Sequence, residues 1–239
     1  MAVRKSEQYA GRPAWLTVFG WVALAGALVA TWFALVVAPT EATQQELFRA
    51  TYLHAATATI GLLGTVVTGV LGAITLWRGR REDDIRTVAA AEITTILLAL
   101  TVFAGMIYSK PTLGAYWAWD ARLTLSAIML VLMAGYFIIR GIITEPDRAA
   151  RVSAVIALVA AAGAPLNRAA TSLFRTVHPA RSAEMPAELS FVLGINMVAM
   201  LLLFAWFFLE RSSIGLAEAR LEARETDGDD AAAGEVIHV

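Results

Sequence analysis

Long apolar runs, separated by short charged segments, organise this chain. The first, residues 15–38, carries no charged side chain and exceeds the roughly 18 apolar residues that mark a candidate spanning helix. Further runs follow at 52–77, 87–108, 123–143, 152–166 and 189–209. The pattern predicts an all-α integral membrane fold of six transmembrane helices, with short connections and no internal repeat. The fifth run is the shortest and ends on Gly163 and Pro165, which predicts a helix that either tilts little or continues outward as a broken helix. A basic leader (Arg4, Lys5, Arg12) precedes the first run. That run is longer than the 7–15 apolar residues typical of a signal peptide, so it is expected to be retained. Residues 1–212 are expected to form one six-helix unit. Residues 213–239 are expected to form a cytoplasmic helical extension from Gly215, followed by an acidic, disordered end over 225–239.

The loops carry Lys and Arg unevenly. Of the 19 in the chain, 13 fall in the leader, residues 78–86, residues 140–151 and the tail, and six fall in the alternate loops. Basic residues concentrate on the cytoplasmic side, which predicts both termini there and turns residues 39–51, 109–122 and 167–188 outward. Within the second run, Gly61, Gly64, Gly69 and Gly72 share one side of the helix. Such a stripe predicts close helix packing.

Composition agrees with the pattern. The chain is 58% hydrophobic and 16% charged, against about 45–50% and 25% in ordinary globular proteins. A net charge of −1 gives no basic field for nucleic acid. The absence of cysteine excludes disulfides, thiol nucleophiles and Cys-ligated zinc or iron–sulfur sites.

Candidate chemistry gathers in the second outward loop, where Tyr116, Trp117 and Trp119 precede Asp120 and Arg122. Tryptophans at run ends, such as Trp15, Trp77 and Trp206, read as the aromatic belt of a membrane protein. A belt explains this cluster less well, because it calls for neither such density nor a charged pair. The other reading is an apolar platform for a flat ligand such as a porphyrin. Two of the three histidines, His54 and His178, fall on the same predicted side. Taken singly, each reads as a polar residue at headgroup level. Around the platform they suggest the two axial ligands of a haem iron. Arg122 and Arg175 are the best candidates for haem propionates, with Lys110 and Arg181 weaker. Asp120 could orient Arg122 or cap the following helix. Arg140 is expected to snorkel, while Glu92 and His238 receive no role.

The stretch Leu113-Gly114-Ala115-Tyr116-Trp117-Ala118-Trp119-Asp120-Ala121-Arg122-Leu123-Thr124 resembles the WWD motif, W-G-x-x-W-x-W-D-x-R-L-T. Its R-L-T ending resembles that of cytochrome c maturation protein C, the haem exporter protein C family. The resemblance spans residues 10–212. It implies that haem b (heme) is held as transient cargo at the outer face of the cell (plasma or inner) membrane, by the aromatic loop and by axial ligands matching His54 and His178. It further implies transfer to a membrane-anchored haem chaperone for c-type cytochrome biogenesis, beside ABC-type ATPase and permease subunits and a small single-span membrane protein. No catalysis by this chain is implied. The chain departs from the family pattern at Leu113, where the motif has tryptophan, and at Tyr116. It departs again at Ala55-Ala56-Thr57, which replaces a proline-containing stretch, and at Leu173-Phe174, which replaces a tryptophan pair. A cytochrome c haem lyase shares the motif but carries more spans and histidines. A b-type redox cytochrome needs facing histidines within its spans, and runs three to six contain none.

Overall fold

The structure, a computed structural model, describes residues 13–40, 44–174, 176–177 and 186–236, with side chains described to residue 226. Among these residues six helices are long and apolar enough to cross a membrane. Helix α1 covers Ala14–Trp32 and continues through a π-helical turn at Phe33–Val37. A 3₁₀ turn at Glu46–Phe48 leads into α2, Arg49–Arg78. Then come α3, Arg81–Leu113; α4, Ala121–Ile142; α5, Pro146–Leu173; and α6, Ala187–Val236.

Local sequence sets the helix ends. Gly79 (φ 63°) and Gly114 (φ 77°) close α2 and α3 in the left-handed conformation that glycine adopts without steric cost. Glu82, Asp83 and Asp84 occupy the first turn of α3, where carboxylates meet the positive end of the helix dipole. Pro146 opens α5, at a position that has no intrahelical N–H bond to lose.

Helix α2 is central and packs against α3, α5 and α6; α4 lies against α5 and α3, and α1 chiefly against α6. The glycine stripe makes the close approaches possible. A Cβ at Gly64 would lie 2.5 Å from Thr94 Oγ1 on α3, and one at Gly69 would lie 2.3 Å from Ala161 Cβ on α5. One stripe therefore serves two neighbours. Hydroxyl pairs Thr68–Thr94 (3.2 Å) and Thr75–Thr87 (2.9 Å) join α2 to α3, the kind of interhelical bond that suits an apolar surround. Leu98, Met129, Met133 and Tyr136 fill the core between α3, α4 and α5.

Contacts sort the connections to opposite ends of the bundle. At one end, Tyr108 near the close of α3 bonds Gln44 of the α1–α2 connection. At the same end, Asp120 of the α3–α4 loop accepts from Thr176 and Val177 of the α5–α6 connection. At the other end Arg140 of α4 pairs with Asp84 of α3, and Arg81 of α3 with Glu222 of α6.

Four expectations are corrected. The fifth helix continues past its apolar run, as one of the two alternatives had it, but without a break: α5 runs through Pro165 to Leu173. An apolar window measures contact with lipid, whereas the backbone ladder continues into Asn167 and Arg168 beyond it. The connections expected to face outward shrink accordingly, because α3 reaches Leu113 and α5 reaches Leu173. Arg140 does not snorkel, since its two Nη atoms donate to Asp84 at 2.8 and 2.7 Å and Nη1 also reaches Ser153 at 3.0 Å. Trp206 is no belt residue, because its indole fills the notch at Gly20, where a Cβ would lie 2.4 Å from the ring. The last helix is described through Val236.

Candidate functional site

The seven residues from Gly114 to Asp120 form a tight bridge between α3 and α4. Gly114 turns the chain out of α3, its N–H donating to Lys110 O at 3.1 Å. Lys110 returns across the loop: Nζ donates to Gly114 O at 3.1 Å and lies 5.2 Å from the Tyr116 ring centroid, a cation–π distance. Lys110 thus holds the loop. Asp120 closes the bridge as the N-cap of α4, with Oδ1 accepting from Leu123 N at 2.7 Å, the expected use of an acid at that position.

Between these fixed ends the aromatic rings divide their roles. Trp117 and Trp119 meet edge to face, with centroids 5.8 Å apart and planes at 76°. Trp119 is 86% exposed and Tyr116 57%. Trp117 is half-buried, and its Nε1–H is buried without a hydrogen-bond partner. An orphaned buried donor costs about 1–3 kcal/mol, a state Trp117 shares with buried groups elsewhere in the bundle such as Trp206 Nε1 and Tyr136 Oη.

His54 sits early in α2 and is half-buried. Its imidazole lies over Gly105 of α3, where a Cβ would be 3.1 Å from Cε1. Any side chain there would push the ring. Arg122 starts α4, half-buried, and the charges acting on its guanidinium are Arg168 and Asp120. Its backbone carbonyl accepts from Asn167 Nδ2 at 2.9 Å, and the same amide donates to Ser126 Oγ at 2.9 Å. Asn167, almost fully buried, thereby pins α5 to the first turns of α4.

The α5–α6 connection reaches the loop through Asp120. Its Oδ2 accepts from Thr176 Oγ1 at 2.7 Å and from Val177 N at 3.0 Å. Three of the expected residues, Arg175, His178 and Arg181, lie outside the described residues. The structure brings Tyr116, Trp117, Trp119, Asp120 and Arg122 together. It places His54 on the neighbouring helix pair at the same end.

Gly105, Asn167, Arg168 and Thr176 were missed by the reading of the sequence. A lone asparagine in an alanine-rich helix and a glycine inside an apolar one were the available signals. Neither identifies its partner without the fold.

The Heme exporter protein C (CcmC) family profile matches residues 4–227. The chain belongs to that family. It is 26% identical over 216 residues to Heme exporter protein C of Paracoccus denitrificans, covering 86% of this chain and 89% of that one. It is 30% identical over 166 residues to the Rhodobacter capsulatus protein of the same name, covering 64% and 69%. The match to the Bradyrhizobium diazoefficiens protein, also Heme exporter protein C, is 29% over 144 residues, and spans 59% of this chain but only about half, 54%, of that one.

Proposed function

We propose that this chain binds haem b as transient cargo at the loop end of the bundle and presents it to a membrane-anchored haem chaperone in c-type cytochrome biogenesis. The observation that carries this reading is the aromatic bridge: an indole 86% exposed stands on a loop fixed at both ends, where three connections meet. A broad apolar face of this kind suits a porphyrin plane. Membership of the Heme exporter protein C family supports the same cargo.

In this reading Trp117, Trp119 and Tyr116 pack against the porphyrin and exclude water from its face. His54 and His178 supply neutral imidazoles to the iron. Arg122, with Arg175 and the neighbouring Arg168, takes the propionates, for which a planar guanidinium offers paired donors. The chain holds and releases haem and catalyses no reaction. The Lys/Arg bias turns the loop end outward from a plasma or inner membrane, with both termini cytoplasmic. ABC-type ATPase and permease subunits and a small single-span protein complete the assembly.

The test is the absorption spectrum of the detergent-purified protein loaded with ferric haemin. A low-spin, two-imidazole spectrum is expected. His54→Ala and His178→Ala should each convert it to a weaker-field form that added imidazole restores, whereas His238→Ala should change nothing. Spectra indifferent to both outer histidines would remove them as ligands. Orientation is tested separately on this cysteine-free background. Ala115→Cys should react with an impermeant thiol reagent from outside intact cells and Asp230→Cys should not; the reverse pattern would invert the site.

A further inference from the structure

We propose that the open groove between α2 and α5 is a binding site for an anionic phospholipid, with an acyl chain along the groove and the phosphate on Arg78 and Arg151. Val66, Val70, Ala73 and Trp77 of α2 and Leu158 of α5 wall the groove, which has a volume of about 430 Å³. Its floor is where the two helices touch, since a Cβ at Gly69 would lie 2.3 Å from Ala161 Cβ. Every side chain along it is apolar. From Val66 to Trp77 the helix rises about 16 Å, about half of a hydrocarbon core of roughly 30 Å. The groove has the length of one leaflet.

Charge decides the occupant. Gly69 of α2 meets Ala161 of α5, and Gly72 meets Ala154 and Ala157, so the two helices run antiparallel. One turn further along that register, Arg151 comes level with the last turn of α2, which ends in Trp77 and Arg78. Arg151 precedes Leu158 by seven residues, two helical turns, so both stand on the same side of α5. Arg78 Cζ lies 5.9 Å from the Trp77 ring centroid, a cation–π distance. Both guanidinium groups therefore stand at the foot of the groove.

Other arginines around this end are already spent. Arg81, Arg86, Arg140, Arg148 and Arg211 each pair with a carboxylate. Arg78, Arg80 and Arg151 pair with none among the described residues, Asp147 one turn before Arg151 included. Unpaired guanidinium groups beside an apolar groove complement a phosphate joined to an acyl chain. Basic pockets between spanning helices hold anionic headgroups in this way. A spanning helix of another protein would fill the groove without using these charges.

The test is native mass spectrometry of the full chain in detergent, with dioleoyl phosphatidylglycerol and dioleoyl phosphatidylcholine added in equal amounts. The two lipids share their acyl chains and differ in headgroup charge. The parent should retain the anionic lipid about thirtyfold better, about fivefold for each arginine. Arg78→Gln and Arg151→Gln should each cut that preference about fivefold, and together bring the lipids near parity. Arg148→Gln, the same charge change at a paired arginine, should keep the parental preference. Ala73→Phe places a ring in the groove from an exposed position and should lower retention of both lipids. Equal retention of the two lipids by the parent would leave the groove to a spanning helix and overturn the proposal. So would a parental preference in the double arginine variant, or a loss in Arg148→Gln equal to that in Arg151→Gln. Undiminished retention by Ala73→Phe would take the acyl chain out of the groove and overturn it as well.

Discussion

At one end of the bundle two arginines each grip a carboxylate with paired hydrogen bonds. Arg140 holds Asp84, with side chains 23% and 15% exposed, and Arg211 holds Glu92 at 2.7 and 3.1 Å. At the other end the aromatic rings are left open, with Trp119 and Tyr116 exposed and a buried Trp117 N–H lacking a partner. Similar residue types are used in opposite ways. The paired end spends its arginines on carboxylates of α3 and so joins α3 to α4 and α6, although Asp83 Oδ2 and Ser212 Oγ there are buried without a hydrogen-bond partner. The loop end spends its Asp120 carboxylate on Leu123, Thr176 and Val177 and leaves aromatic surface open. Open aromatic surface on a fixed frame is what a binding surface needs, and paired charges are what join helices of the scaffold.

That contrast breaks most sharply at Arg140. Its removal leaves the Asp84 charge half-sheltered and unpaired, which should cost about 3 kcal/mol of stability and lower the thermal transition in detergent. Asp84→Asn in the same chain should recover part of the loss, while haem affinity of the protein that remains folded stays parental. A loss of haem with an unchanged thermal transition would dissolve the distinction between the ends.

The converse is expected of the rings. Trp119→Ala or Trp117→Ala should weaken haem binding by about 1–3 kcal/mol from lost apolar contact, roughly 5–150-fold in Kd. Because Trp119 is so exposed, its removal should leave the thermal transition in place. Trp77, 82% exposed at the opposite end, is the control: Trp77→Ala should keep parental haem binding. Trp206→Ala should do the reverse of Trp119→Ala, losing stability and keeping haem, because its ring fills the notch at Gly20. Equal haem loss from the Trp77 and Trp119 variants would make the loop an ordinary belt.

A smaller effect is expected at Gly105. A methyl group there presses on His54 Cε1 and must displace the ring by a few tenths of an ångström. Gly105→Ala should lower haem affinity by roughly 1 kcal/mol, the lower end for an overpacked site, about fivefold, with a shifted absorption band. Gly105→Val should enlarge both changes in the same direction. A parental spectrum in Gly105→Val would separate His54 from the iron.

Much of this was legible before any coordinate. The six spans follow from apolar runs, because a lipid-exposed helix must be apolar along its whole length. The Gly61–Gly72 stripe is written in residue spacing, although the spacing did not reveal that Gly64 serves α3 while Gly69 serves α5. Trp117, Trp119 and Asp120 stand out as a local motif, since neighbours in sequence are necessarily neighbours in space. Trp206 misled for the opposite reason. Nearness to the end of an apolar run resembles a belt, and only Gly20 on another helix shows that the ring is enclosed.

By itself the sequence determined the all-α spanning architecture, the position of the aromatic loop and the residue types available there. These depend on composition and short-range spacing, both of which hydropathy and local motifs report. Only the tertiary structure decided that Glu92 belongs to Arg211, that Gly105 makes room for His54, and that Asp120 holds Thr176 and Val177. Each joins residues dozens of positions apart or more. Whether such groups meet is set by how helices pack against one another, and no local pattern of polar and apolar residues encodes that.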